Sequence, residues 1–517
     1  MSLLHGTNGD DVLTGSDSAD LVLGEDGNDT IAGNAGNDHL FGGAGDDSIN
    51  TGAGDDIVHG GTGNDTIGGM AGHDIVFGDA GDDVIAWNDP TGDTVFGGAG
   101  NDHIIGSDTA ADISHGGDGD DVIQAFTTTA ANATAGDHLF GGNGDDILIG
   151  GDGNDVIQGG NGADTITGNG GVDHLSGGAG DDTINTGAGD DIVHGGSGAD
   201  HIGGMAGHDT VFGDAGDDVI AWNDATGDTV FGGDGNDTIT GSDVAADVIF
   251  GGAGDDVLQG FTTTAAAATG ADRMDGGDGN DTIIGGSAAD RIDGGNGNDN
   301  ISGGDGADHL NGGAGDDTIN TGAGDDIVHG GDGADHIGGM AGHDTVFGDG
   351  GDDVIQWNDA TGDTVFGGAG NDQIIGSDTA SDISHGGDGD DLVQAFTTTA
   401  ANATAGDQLF GDAGNDRVIG GDGADHIEGG AGNDILTGNG GADTFTFHTL
   451  QAGNDTITDF NVNQDRISLV GFGHGFDPLA HLSDSAAGAV LDLGDGNHVT
   501  LEHVDVAHLT ASDFVFV

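Results

Sequence analysis

The run Gly42-Gly43-Ala44-Gly45-Asp46-Asp47-Ser48-Ile49 decides the fold of this chain. It is one instance of a nine-residue phrase, G-G-x-G-x-D-x-U-x, in which U is a large aliphatic residue. From Asp11 an Asp recurs every nine positions, through Asp20 and Asp29 to Asp83. Two residues after each stands an aliphatic side chain: Leu13, Val22, Ile31, Leu40, Ile49, Val58, Ile67, Val76 and Ile85. A fixed short period of this kind is the mark of a repeat architecture. The glycines permit a tight turn with positive φ. The three residues after the Asp form a short strand whose middle residue alone points inward. Two nonapeptides then make one 18-residue coil of two turns and two strands, and the coils stack into parallel sheets. The expectation is all-β.

Composition narrows the function. The 517 residues include 116 Gly and 94 acidic against four basic side chains, a formal net charge of −90. The basic residues are Arg273, Arg291, Arg417 and Arg466; Lys, Cys and Tyr are absent. A chain this acidic cannot neutralise a phosphate backbone, which excludes nucleic acid as partner. No apolar run is long enough to span a bilayer and no basic amphipathic segment exists, so membrane insertion is not expected. Without Cys there is no disulfide scaffold or thiol nucleophile. High charge with few aromatics ordinarily reads as disorder, because little apolar surface offsets chain entropy. Something else must stabilise the coils.

The phrase resembles the RTX, or haemolysin-type calcium-binding, repeat, over about residues 5–443. The resemblance implies a long parallel β-roll in which Ca²⁺ sits between adjacent turns, held by Asp carboxylates and carbonyls of the glycine-rich turns. Hard oxygen donors at this density suit Ca²⁺ better than Mg²⁺ or zinc. The implied ligands in the first part are Asp20, Asp29, Asp38, Asp47, Asp56, Asp65, Asp74, Asp83, Asp102, Asp121, Asp146, Asp155, Asp164 and Asp173. In the middle they are Asp182, Asp191, Asp200, Asp209, Asp218, Asp237, Asp256, Asp281, Asp290, Asp299 and Asp308. Toward the end come Asp317, Asp326, Asp335, Asp344, Asp353, Asp372, Asp391, Asp416, Asp425 and Asp434. About 23 coils offer roughly 30–45 sites, whose charge at full occupancy offsets most of the acidity. Without metal the Asp ladders repel one another, so folding and calcium binding are expected to be one event.

A second repeat lies above the first. Residues 180–233 nearly duplicate residues 45–98 and recur at 315–368, each offset by 135. This divides the chain into a partial unit 1–38, units 39–173, 174–308 and 309–443, and a C-terminal segment 444–517. At about 4.8 Å per strand a seven-coil unit rises about 34 Å, and the expected product is a rod. Some rows exceed nine residues: Asp83 to Asp93 and Asp102 to Asp112 are ten apart, and Asp121 to Asp137 sixteen. The extra residues enter alternate rows, so these loops stack on one edge of the roll. They carry Trp87 and Phe126, with Trp222 and Phe261, then Trp357 and Phe396, in register. Two readings stand: the aromatics fold back over loops too long to bind calcium, or they form a contact edge for another subunit or a glycan.

Histidines do not suggest a metal or catalytic centre. His194, His201 and His208 are seven apart, out of phase with a nine-residue row, so they should not converge. No H-E-x-x-H, G-x-S-x-G or P-loop occurs, and no enzyme activity is expected. After Asp443 glycine thins and Phe accumulates. The stretches Asp443-Thr444-Phe445-Thr446-Phe447 and Asp455-Thr456-Ile457-Thr458-Asp459-Phe460 resemble the C-terminal region of serralysin-type proteases and alginate epimerase R-modules. That resemblance implies a β cap and an uncleaved type I secretion signal, here ending Ser512-Asp513-Phe514-Val515-Phe516-Val517. The start, Met1-Ser2-Leu3-Leu4-His5, lacks the basic and apolar regions of a signal peptide. The sequence therefore reads as a secreted or cell-surface calcium-binding structural protein that self-assembles into a layer, filament or matrix. Its expected partners are itself and a type I exporter. The alternative is a calcium-dependent adhesin or carbohydrate-binding module that meets an extracellular polysaccharide through the loop edge.

Overall fold

The structure, a computed structural model, describes residues 2–449, 453–473 and 475–517; Met1 of the expected partial unit and residues 450–452 and 474 of the C-terminal segment lie outside it. The chain is all-β, a parallel β-solenoid of stacked coils with no α-helix among the described residues. Two sheets alternate along the chain. One is built of strands of mostly six residues, such as His39–Ala44 and Ile57–Thr62; the other of shorter strands, many of only three, such as Thr30–Ala32. We refer to them as the long-strand and short-strand sheets. Within the repeats the strands pair in parallel with those one coil on, so Leu40 faces Val58 and Ile31 faces Ile49.

The chain forms two compact units, Met1–Thr263 and Thr264–Val517. In the first, Val22, Leu40, Val58, Val76 and Val95 project inward from the long-strand sheet, fully buried. Ile31, Ile49, Ile67, Ile85 and Ile104 do the same from the short-strand sheet. The core is thus two columns of aliphatic side chains, one per nonapeptide. That is thin for a domain of this size. Loops are confined to the edge where the short-strand sheet hands over to the long-strand sheet, as between Val84–Ala86 and Thr94–Ala99.

The second unit repeats this construction and then changes character. The strand Thr444–His448 is followed in the long-strand sheet by Arg466–Val470 and Phe514–Phe516, with Phe445, Ile467 and Phe514 in register. On the other side Asn454–Ile457 pairs in parallel with Asn497–Glu502, which turns antiparallel to Gly488–Gly494. Phe445, Phe460, Leu469, Leu491, Leu501 and Phe514 pack into one buried cluster, so the expected cap is present and closes its end with a denser apolar core.

Candidate calcium ladder and loop edge

Asp47 shows how a row is wired. Its Oδ1 accepts a hydrogen bond from the backbone N–H of Asp29, one coil back, at 2.7 Å. Its own N–H donates to Oδ1 of Asp65 at 2.7 Å. The carboxylate is therefore fixed in orientation, with Oδ2 buried and unpartnered. A Cβ placed on Gly42 would collide with that Oδ2 and with the carbonyl oxygen of Gly60. Gly42 is needed for space, whereas its neighbour Gly43 is needed for a backbone at φ 121°. Beside Gly42 a carboxylate oxygen and a carbonyl oxygen approach each other, the donors a hard divalent cation takes. An unpartnered buried carboxylate is costly, and burial pushes Asp56 up to about 7 and Asp93 to about 8. Repeated row after row, the arrangement is a ladder of buried, oriented carboxylates.

At the loop edge the tryptophans turn inward. Trp87, Trp222 and Trp357 are 3%, 3% and 2% exposed, so these three do not form an exposed contact edge. The reason is phase. Trp87 stands four residues after Asp83, the inward position that Gly42 holds after Asp38, and the wider loop makes room for an indole. Phe126, Phe261 and Phe396, one position further along, face outward and are half-buried. The long loop is tied down locally. Asp108 accepts from the backbone N–H of Thr127 at 2.8 Å and the hydroxyl of Thr128 at 2.6 Å. The Thr128 hydroxyl leads the bonds that hold the Asp108 carboxyl below its usual range. Asn88 donates to the Thr127 hydroxyl at 2.7 Å, linking one loop to another.

The outer face of the long-strand sheet carries a feature not read from the sequence. Phe41, His59, Phe77, Phe96, His115 and Phe140 stack ring on ring, with centroids 4.6–5.1 Å apart. A second ladder, His194, Phe212, Phe231 and Phe250, follows in the same unit. The second unit has its own from His329 to Phe410. The signal was available: each ring is the third residue after a row Asp, the outward position flanking the buried aliphatic. His59 Nδ1 also lies 3.0 Å from Oδ2 of Asp79, which stands in a turn-glycine position at φ 73°. His194 stacks on Phe212, His201 lies on the other sheet and His208 meets the carbonyl of Gly227, so these three do not converge. No group of three or more His, Asp or Glu side chains placed to hold a metal occurs among the described residues.

The family described as RTX calcium-binding nonapeptide repeat matches the chain in overlapping stretches that together cover residues 3–85, 87–123, 134–258, 267–393 and 407–445. The chain belongs to this family. The stretches passed over at 124–133, 259–266 and 394–406 are the three long loops. No curated protein matches the chain. Among solved structures it is similar to the extracellular lipase LipA from Serratia marcescens, at 21% identity over 55% of this chain and 40% of that one, TM-score 0.23. It is also similar to the AlgE6R3 subunit of the Azotobacter vinelandii mannuronan C5-epimerase, at 29% identity over 30% of this chain and 78% of that one, TM-score 0.15.

As an RTX chain the protein binds calcium through many repeats, and the structure ranks its candidate ligands. Many of the expected Asp residues, among them Asp29, Asp102, Asp200, Asp326 and Asp434, present a buried and unpartnered Oδ2 like that of Asp47. Asp20, Asp155 and Asp425 do not. The Oδ2 of Asp20 accepts from the N–H of Ser16, and those of Asp155 and Asp425 accept from the N–H groups of Gly151 and Gly421, each at 2.7–2.8 Å. In those three the turn supplies a donor to the oxygen that the other rows leave without a hydrogen bond. Conversely Asp93, Asp137, Asp228, Asp363 and Asp407, which end the long rows, have the open geometry. The sequence shows them as row residues, but they were not expected as ligands because the loops before them read as too long to bind calcium.

Proposed function

We propose that this RTX protein is a calcium-dependent structural protein that is exported by a type I route, folds as calcium loads, and self-assembles at or outside the cell surface. The single observation that carries the reading is the continuous ladder of buried, oriented carboxylates. Their charge is tolerable only when matched by cations, and extracellular fluid is where millimolar-range calcium sites fill. Three near-identical units in tandem multiply any weak contact, as a layer, filament or matrix requires. An adhesin or carbohydrate-binding role is the second reading, favoured by the exposed Thr128 and Thr129 beside the outward Phe126. The test is a calcium titration of the full chain, followed by circular dichroism and light scattering. Structural assembly predicts that β signal and particle mass rise in sequence with calcium. A particle that folds, stays monomeric at high concentration and is retained on a polysaccharide column supports the adhesin instead.

A further inference from the structure

We propose that the outer face of the long-strand sheet is the surface through which two copies of this chain pair, aromatic strip against aromatic strip. This rests on the self-association reading above and assigns it a place. Twelve consecutive strands of the first unit, from His39–Ala44 to Val248–Ala253, form one face. Each shows two outward side chains, the first and third after the row Asp. In these two columns no Asp or Glu occurs, although the chain carries 94. Acidic side chains on these strands are confined to their C-terminal ends, at Asp79, Asp118, Asp214 and Asp234, and Asp79 and Asp214 are matched by His59 and His194. The third-residue column holds the two ring ladders, separated only by Gln158 and Ser176. The first-residue column adds Ile75, Ile113 and Ile192, which are 41%, 39% and 37% exposed.

Three considerations select a second copy as the occupant. The ring faces are already covered by their neighbours in the ladder, so only ring edges reach solvent. A flat sugar or base that binds by stacking finds no free face, whereas interdigitating side chains need none. Two identical side-chain ladders with a groove between them are what paired β-sheets mate through, at a sheet separation of about 10 Å. A partner must also match a rung every ~4.8 Å, and another copy of the strip does so by construction. The size is sufficient as well. Twelve strands give a strip about 55 Å long and about 12 Å wide, some 650 Å² per copy, close to the roughly 800 Å² each partner contributes to a standard interface. Calcium is required first, because unneutralised acidic turns flank the strip on both sides.

The experiment uses the full chain in millimolar calcium. Sedimentation should show concentration-dependent dimers or larger species. Phe96→Asp combined with Phe231→Asp should be monomeric at concentrations where wild type is associated, with an unchanged circular dichroism spectrum. Phe96→Leu with Phe231→Leu should still associate. As a readout that keeps the ladder whole, Ile75→Cys and Val84→Cys each introduce one thiol into a cysteine-free chain, on opposite sheets at 41% and 42% exposure. Raising the concentration should slow alkylation of Ile75→Cys about tenfold and leave Val84→Cys unchanged, as mass action requires of a site covered only in the dimer. A wild type that associates while Phe96→Asp/Phe231→Asp associates equally, or while both thiols react alike, overturns the strip but leaves self-association standing. A wild type that remains monomeric overturns both.

Discussion

The backbone N–H of Asp29 donates to Oδ1 of Asp47 at 2.7 Å, while the second oxygen of Asp47 is buried with no hydrogen-bond partner. In a row of this kind one carboxylate oxygen is committed to holding the coils together, and the other is available to a cation. Burial raises these groups well above the usual carboxylate range, Asp173 and Asp317 to about 7, Asp137 and Asp416 to about 8. For an acid whose folded pKa is raised, the folded state holds more protons than the unfolded state between the two values. Stability of the metal-free chain must then fall as pH rises from about 4 to about 8. Circular dichroism in chelator-treated buffer should show most β signal near pH 4–5 and loss of it at pH 7–8. Calcium added at pH 7 should restore the signal with little proton release, because the unfolded carboxylates are already ionised, whereas calcium added near pH 5 to the folded chain should release protons, measurable in a pH-stat. A metal-free β signal that grows with pH would refute this assignment.

Asp191 tests how local the ladder is. It receives the N–H of Asp173 at 2.8 Å and donates its own to Asp209 at 2.7 Å. Asp191→Asn keeps the shape and the Oδ1 bond but removes the charge. Bound calcium, counted by titration calorimetry or native mass spectrometry, should fall by about one or two ions, because each coil contacts only its neighbours. Hydrogen exchange in distant coils should be unaltered. Collapse of the whole β signal would show that the coils do not fold as near-independent units.

Gly177→Ala separates the cradle from the turn. Gly177 does not have the positive φ that sets Gly178 at 117°, so alanine is tolerated by the backbone. Its Cβ would instead collide with Oδ2 of Asp182 and the carbonyl of Gly195. Calcium loss comparable to that of Asp191→Asn is expected, centred on Asp182, with an intact fold in saturating calcium. Unchanged stoichiometry would place the ion elsewhere in the turn.

Much of this was legible because a solenoid converts sequence phase directly into position. The nine-residue spacing places Ile49 inside, sends the loops after Asp83, Asp102 and Asp121 to one edge, and keeps His194, His201 and His208 apart. What escaped was phase carried through irregular rows. Trp87 continues the alternation in from Ile85, out at Ala86, and in again, yet a long loop suggests a surface residue. Asp93 and Asp137 restart the period after insertions, and the length of the loop before each argues against a calcium site there, although the carboxylate is oriented by the strand and not by the loop. The ring ladders escaped because Phe41 and Phe77 are 36 residues apart and meet only through the coil between them. The hydrogen bonds that cap Asp20, Asp155 and Asp425 depend on the local path of a turn, which the repeat does not encode.

The C-terminal segment completes the cap, and on the proposed export route it also carries the signal; the two roles can be tested apart. The last strand, Phe514–Phe516, pairs with Arg466–Val470, and Phe514 is buried in the cap at 6% exposure. Asp513, also buried, accepts from the N–H of Thr510 at 2.6 Å and its hydroxyl at 3.0 Å. Deleting residues 512–517 thus removes part of the cap core together with the expected export signal. In a host carrying the exporter, the truncated chain should remain inside the cell, with a lowered melting temperature for the cap even in calcium. Val515 and Val517 are 42% and 76% exposed, so Val515→Asp with Val517→Asp alters the apolar tail while keeping the strand pairing and Phe514. That variant should fold with a near wild-type melting transition in calcium and still be retained. Secretion of both variants at the wild-type level would refute C-terminal recognition. Retention of the truncation alone would locate the signal in the folded cap or in Ser512–Phe514 rather than in the exposed apolar tail.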